Sequence, residues 1–129
     1  MSPSDVQMLR RAWGAFARGD VDAAADVLHA EVRWYGAREP DADGSCANRE
    51  QARAFIERSI AAGVTSELLD VFDAGGGRLV LTVLTHAPPG WELNPEPHGE
   101  VVTVSAGKVT EMVMYPTVQE ALETVRSNP

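Results

Sequence analysis

The segment EPHGEVVTVSAGKVTEMVMYP, residues 96–116, carries the pattern that decides the fold. The runs HGEVVTVS and KVTEMVMY are rich in branched residues and flank the dipeptide AG, so they predict two antiparallel strands joined by a tight hairpin. Successive side chains of a strand point to opposite faces, which places Glu96, His98 and Glu100 on one face. Val102 follows on the same face. If that face is buried, ionisable groups stand at the rim of an apolar interior.

Two more predicted strands precede this hairpin. The runs VTSELLDVFD and RLVLTVLTHA are again rich in branched and apolar residues, and the turn segment AGGG separates them. The following segment, PPGWELNPEP, contains four prolines in ten residues and therefore predicts a loop. Its Trp91 is either a lid over a cavity or a surface residue packed on its own loop. After the hairpin, Thr117 and Glu120 form the capping box of a short final helix.

Helical periodicity dominates the first half of the chain. Asp20 is placed to cap a helix over DVDAAADVLHAEV, and the branched and aromatic run VRWYG then predicts a short strand. Asn48 and Gln51 form a capping box that opens a further helix. Before all of these, apolar residues recur at helical spacing in the first predicted helix, namely Val6, Leu9, Trp13 and Phe16.

The order of elements is helix, helix, strand, helix, four strands and a short helix, within one domain that spans residues 1–129. Strands that follow helices in this way predict an α+β fold. We expect a cone-shaped, strongly curved and mostly antiparallel sheet, with three helices that close an internal cavity and a short C-terminal helix. The mouth of such a cone is suited to small apolar molecules.

The composition restricts the classes of function. The chain has 129 residues and a formal net charge of −8, and a surface of this sign repels phosphate backbones, which argues against nucleic-acid binding. The sequence shows neither a run of membrane-spanning length nor a leader, so we expect a cytoplasmic protein without a membrane partner. Cys46 is the single cysteine and no metal-binding motif is present, so we expect no metal or other cofactor.

Two segments together resemble a known superfamily. AFARGDVDAAADVLHAEVRWYG near the start and GKVTEMVMYPTVQEALE near the end are similar to the nuclear transport factor 2-like superfamily, and most of all to its SnoaL-like branch. The resemblance covers nearly the whole chain. It implies the cone fold and a homodimer, but it leaves the function open. The superfamily includes ketosteroid isomerases, polyketide cyclases, epoxide hydrolases, dehydratases and non-catalytic binding proteins.

The resemblance to ketosteroid isomerase assigns roles to particular positions. The acid that binds the substrate oxyanion in that enzyme falls on Glu100, and the apolar wall of the last strand falls on Met112 and Met114. On the strand before, the same comparison turns four residues into the cavity: Val80, Thr82, Leu84 and His86.

The departures from the isomerase matter equally. Its general base falls on Gly36 and its phenol donor falls on Ala12, and neither residue can take over that role. An isomerase of that mechanism would therefore need Glu39 or Asp41 to reach in from the loop.

The candidate site combines these positions. His86, His98 and Glu100 are the candidate catalytic residues, because an imidazole near a carboxylate can move protons near neutral pH. The candidate ligand-binding residues are mostly apolar or aromatic: Trp13, Phe16, Trp34, Phe55, Thr82, Leu84, Val102, Met112 and Met114.

Three functions remain open at this point. The protein is an enzyme for acid–base chemistry on a mainly apolar substrate, by cyclisation, isomerisation, dehydration or hydrolysis. Alternatively, it binds a small apolar ligand without catalysis, or it is a structural dimer whose cavity is filled by its own side chains. The predicted homodimer would form through the outer sheet face, which is more apolar than water favours. That face carries Val101, Thr103, Val113 and Tyr115.

Overall fold

A computed structural model of the protein describes residues 3–35, 45–90 and 96–127. The elements follow the predicted order. They are α1 (Pro3–Ala17), α2 (Val21–Asp26), β1 (Leu28–Tyr35), α3 (Arg49–Ala62), β2 (Thr65–Gly75), β3 (Arg78–His86), β4 (His98–Ser105), β5 (Lys108–Tyr115) and α4 (Val118–Ser127). Within these residues, no helix is long and apolar enough to cross a membrane.

The five strands form one sheet in the order β1-β5-β4-β3-β2. Strand β1 runs parallel to β5, and every other neighbouring pair is antiparallel. The predicted α+β fold, with a curved and mostly antiparallel sheet and a short C-terminal helix, is confirmed.

Helix α2 is shorter than the helical pattern predicts. It ends at Asp26, and the residues from Leu28 onward form a strand. The reason is tertiary: the amide of Val109 in β5 donates to the carbonyl of Val27 at 2.9 Å, and Lys108 Nζ donates to the carbonyl of Asp26 at 2.6 Å. These bonds to β5 occupy carbonyls at the end of the helix and favour the strand that follows.

The sheet buries side chains on both of its faces. On the concave face, residues such as Leu79, Leu81 and Val102 join the main core with side chains from α1, α2 and α3. On the convex face, α4 covers a second and smaller cluster, formed by Val80, Val101, Ala121 and Val125. Part of the outer face predicted for dimerisation, Val101 above all, is therefore covered by the chain's own last helix.

Gly99 is the point at which α4 approaches the sheet most closely. A Cβ atom at this position would lie 2.8 Å from Cβ of Ala121 and from the carbonyl oxygen of Thr117, and 2.9 Å from Cα of Val118. No real side chain tolerates such distances to backbone atoms, so only glycine allows this approach. Helix α4 therefore rests on the backbone of β4 at the residue between His98 and Glu100.

The register of β3 corrects one prediction. Leu81 pairs with Glu100 and Val83 pairs with His98, so these residues of β3 lie on the concave face. The residues that the resemblance turned inward have the opposite parity, and their predicted inward orientation is wrong: Val80, Thr82, Leu84 and His86. The physical reason is that helices cover both faces, so β3 carries apolar residues on both parities and its sequence does not encode which face is inner.

Candidate functional site

A cavity of about 410 Å³ lies between the concave face of the sheet and the helices α1, α2 and α3. This volume falls in the range of small-molecule pockets. Apolar and aromatic side chains form most of its wall. Six of the predicted wall residues line it: Trp13, Phe16, Trp34, Phe55, Met112 and Met114.

Among the described residues of the cavity wall, the buried ionisable groups are those of His98 and Glu100. Nε2 of His98 lies 3.2 Å from Oε2 of Glu100, and the two residues are only 8% and 3% exposed. Strand alternation places both side chains on the concave face, one pleat apart, and Glu100 lies between Leu81 and Met114 of the neighbouring strands. The strand thus brings one candidate imidazole within hydrogen-bond reach of the candidate carboxylate.

Part of this pair faces the cavity. Within the described residues, Glu100 has His98 as its one hydrogen-bond partner, and both residues line the cavity. None of the fully enclosed side-chain nitrogen and oxygen atoms described here lacks a partner. The second carboxylate oxygen of Glu100 and Nδ1 of His98 are therefore not fully enclosed, and both belong to residues that line the cavity. An ionised carboxylate accepts hydrogen bonds only, so Nε2 of His98 is its donor.

Two hydroxyl groups form a second polar group in the wall. Nε1 of Trp13 donates to Oγ of Ser66 at 3.1 Å, and that oxygen lies 3.4 Å from Oγ1 of Thr85. Both hydroxyl residues line the cavity. Neither residue is predicted from the sequence, because their shared position depends on the pairing of Ser66 with Thr85 across β2 and β3.

An aromatic contact closes another part of the wall. The rings of Trp34 and Phe55 meet edge to face, with centroids 5.6 Å apart and an interplanar angle of 67°. The guanidinium of Arg58 lies 6.0 Å from the centroid of the Phe55 ring. Aromatic pairs of this geometry add about 0.5–1.5 kcal/mol beyond their burial, so this contact stabilises the packing of the wall.

His86 does not join the buried pair. His86 is paired with Thr65 of the neighbouring strand β2, and its Nε2 lies 3.8 Å from Oε1 of Glu67. Both of these side chains are more than half exposed, at 56% for His86 and 61% for Glu67. Three predicted ligand-binding residues also lie elsewhere: Thr82 and Leu84 have the outer parity, and Val102 is fully buried in the core beyond the cavity wall.

The remaining predicted positions divide into two groups. Ala12 lines the cavity with a methyl group where the isomerase carries its phenol. Gly36, Glu39, Asp41 and Trp91 lie outside the described residues. In the part of the chain that the structure describes, no three His, Cys, Asp or Glu side chains are grouped to hold a metal ion.

Cys46 lies next to this wall as a buried thiol. Its backbone pairs with that of Trp34: the distance from the Cys46 nitrogen to the Trp34 oxygen is 2.7 Å, and that from the Trp34 nitrogen to the Cys46 oxygen is 2.9 Å. Desolvation by burial raises the pKa of the Cys46 thiol, and the charge of Arg58 partly opposes this rise. A thiol of this kind is a weak nucleophile.

The curved sheet, the three helices over its concave face and the cavity between them define a nuclear transport factor 2-like cone, and the predicted membership of this superfamily is confirmed. Within the superfamily, the SnoaL-like domain matches residues 9–112, and the chain belongs to the SnoaL-like family. None of the curated proteins compared matches the chain.

Several solved structures share the fold. RV0760c from Mycobacterium tuberculosis, in complex with estradiol-17beta-hemisuccinate, has a TM-score of 0.73 at 15% identity, over 88% of this chain and 93% of the other. TerC, co-crystallised with polyporic acid, has a TM-score of 0.69 at 14% identity, over 95% and 98%. An NTF2-like protein of unknown function from Burkholderia pseudomallei reaches 0.69 at 19% identity, over 97% and 98%. At these identities the likeness shows the fold alone.

Proposed function

We propose that the protein binds a mainly apolar small molecule in this cavity and catalyses a proton transfer on it, with Glu100 as the base and His98 as its partner. The observation that carries the proposal is the 3.2 Å contact between these two side chains inside an apolar wall. Catalytic groups are commonly a few convergent polar side chains in an otherwise apolar pocket. Cyclisation, isomerisation and dehydration include a proton transfer on the substrate, and hydrolysis includes one on the attacking water.

Two structural neighbours support a small-molecule partner. RV0760c is in complex with estradiol-17beta-hemisuccinate, and TerC was co-crystallised with polyporic acid. Both ligands are ring compounds, and a cavity of about 410 Å³ is large enough for a compact ring system.

In the proposed step, a carboxylate oxygen of Glu100 takes a proton from a C–H or O–H group of the substrate. The electron pair of the broken bond stays on the substrate, and the proton is later returned to another atom of the same molecule. His98 donates its Nε2–H to the ionised carboxylate and so orients it. Because the surroundings are apolar, each of these interactions is stronger than it would be in water.

Deuterium exchange into 2-tetralone tests this step. This apolar ketone has an acidic CH2 group, and a general base at Glu100 should accelerate its exchange in D2O, as followed by NMR. We expect Glu100→Gln to reduce the protein-dependent exchange rate about a hundredfold or more, the usual contribution of a general base. Glu67→Gln is the matched control, since it removes an exposed carboxylate that also lies near a histidine.

The outcomes of this experiment distinguish an enzyme from a non-catalytic binding protein. If 2-tetralone binds but its exchange is not accelerated, the protein is a binder without this chemistry. Ala12 favours that second candidate, because a methyl group stands where the isomerase supplies a phenol. An accelerated rate that Glu100→Gln leaves intact would contradict the role of Glu100. The third candidate, a module whose side chains fill the cone, is opposed by the open volume.

We also propose that the protein is a homodimer. Helix α4 covers Val101, but Val113 and Tyr115 remain partly exposed, and Phe72 on the same face of the sheet is 53% exposed. Exposed apolar groups on one face favour association with a second copy. Light scattering should give twice the chain mass of 13.9 kDa, and Val113→Asp should lower it. A monomeric mass for the unmodified protein would exclude the dimer.

A further inference from the structure

The hydroxyl groups of Ser66 and Thr85 stand apart from the pair that the proposed function uses. They come from β2 and β3, line the same cavity, and are joined to each other and to the indole of Trp13. The number of hydrogen atoms and lone pairs in this cluster determines which hydrogen bonds it can make to a ligand.

An indole nitrogen only donates, so Oγ of Ser66 must accept from Trp13. The contact between Ser66 and Thr85 uses one of the two hydroxyl hydrogens, whichever residue is the donor. One hydroxyl hydrogen is therefore left over in either arrangement. Within the described part of the chain, neither hydroxyl has a further partner that could accept it. The cluster thus has one hydrogen bond left to donate toward the cavity.

The register gives the distance between Thr85 and the pair formed by His98 and Glu100. Val83 is directly opposite His98, and Thr85 lies two residues further along the same face of β3. Thr85 is thus the diagonal neighbour of His98, and such Cα positions are about 7–8 Å apart.

We infer that Ser66 and Thr85 form a second anchor in the cavity, which donates a hydrogen bond to an oxygen atom of the ligand. The inference rests on the proposed function and narrows its substrate class. The ligand is a rigid apolar molecule with two oxygen-bearing groups. One group carries the proton that Glu100 and His98 handle, and the other is a carbonyl or hydroxyl oxygen held by the hydroxyl pair.

Two naphthols test the second anchor by titration calorimetry. 2-Naphthol has one hydroxyl group, and 2,6-dihydroxynaphthalene has a hydroxyl group at each end of the same rigid body. The unmodified protein should bind the diol about three- to tenfold more tightly, the usual net effect of one hydrogen bond. Thr85→Val removes the hydroxyl and keeps the shape. It should abolish this preference, because the hydroxyl hydrogen that Ser66 retains lies on β2, one strand or about 4.8 Å further from His98 and Glu100, where the rigid diol does not reach it. The affinity for 2-naphthol should be unchanged.

Matched variants control for effects on the fold. Thr85→Ser keeps a hydroxyl and should keep the preference for the diol. Thr82→Val makes the same change on the other face of β3, and should also keep it. Ser66→Ala is less informative, because it leaves the Trp13 indole without its acceptor. If the hydroxyl pair only ties α1 to the sheet, Thr85→Val will lower the melting temperature and leave the preference intact.

The failure of this inference differs from a failure of the proposed function. Equal affinities for the two naphthols in the unmodified protein, or a preference that survives in Thr85→Val, overturn the second anchor and leave the cavity as a binding site. If the unmodified protein binds neither compound, both proposals are overturned together.

Discussion

In the part of the chain that the structure describes, two histidine–glutamate pairs differ in the face of the sheet on which they lie. His98 and Glu100, on the concave face, are 3.2 Å apart with side chains 10% and 4% exposed. His86 and Glu67 are 3.8 Å apart, and both are more than half exposed. The first pair is a hydrogen bond in an apolar wall, whereas water and salt screen the second. The same residue types therefore form a candidate site in one place and a solvated surface in the other.

The inner pair, His98 and Glu100, is also supported by the packing of α4 against β4. Gly99 lies between its two members and brings α4 against the backbone of β4. The outer pair lies on β3 and the edge strand β2, and its strands bulge between Leu68 and Asp70. We conclude that the inner pair is held from both sides of the sheet, by the cavity wall and by α4.

The largest expected effect comes from breaking the inner pair on one side. His98→Leu leaves the carboxylate of Glu100 buried without its partner, and we expect it to lower the free energy of unfolding by about 3 kcal/mol. Urea denaturation at neutral pH measures this loss. The control is His86→Leu, for which we expect a change below about 0.5 kcal/mol because the outer pair is exposed.

The double variant His98→Leu with Glu100→Met should recover most of that loss, since it removes both polar partners and fills the wall with apolar atoms. A loss for His98→Leu no larger than that for His86→Leu would show that burial does not distinguish the two pairs.

The second prediction removes the support under the inner pair. Gly99→Ala places a methyl group against α4, and overpacking of this kind should lower the free energy of unfolding by about 1–3 kcal/mol. The matched control is Gly14→Ala in α1, where the added Cβ meets only a flexible arginine. That change should raise stability by about 0.5–1 kcal/mol, because alanine is the better helix former. Equal effects at both positions would refute the close approach of α4.

The third prediction concerns Cys46, another ionisable group buried next to the wall. Its pKa is raised by burial, so the folded protein holds the thiol proton more tightly than the unfolded chain does. This contribution to stability is complete below the thiol's ordinary pKa and is lost as the pH rises through the raised value. Stability should therefore fall more steeply above about pH 9 in the unmodified protein than in Cys46→Ala. Identical alkaline slopes would contradict the prediction.

The smallest effect is expected for the outer pair. A double-mutant cycle on Glu67→Gln and His86→Gln should give a coupling energy below about 0.5 kcal/mol. High salt should remove even this coupling, because exposed charges are screened within a few ångströms at 1 M ionic strength. A coupling that resists salt would mean that the outer pair is also shielded from water, and the contrast between the two pairs would then be lost.

The sequence by itself determined the kinds of elements and much of one strand. The capping residues Asn48 and Asp20 accept from the amides that their patterns predict, at Gln51 and Ala23 respectively. The alternation in β4 placed His98 and Glu100 on one face, and the structure shows them in contact. These features could be predicted because they depend on neighbours within a few positions along the chain.

Only the tertiary structure decided which face of β3 is the inner one. The run RLVLTVLTH is apolar on both parities, since α4 covers one face and the helices of the cone cover the other. A one-residue shift in register moves every side chain to the opposite face, and nothing in this run opposes such a shift. The prediction therefore placed His86 in the cavity and overlooked Thr85. The pairing of β3 with β4 and β2 reversed both assignments, because cross-strand partners must share a face.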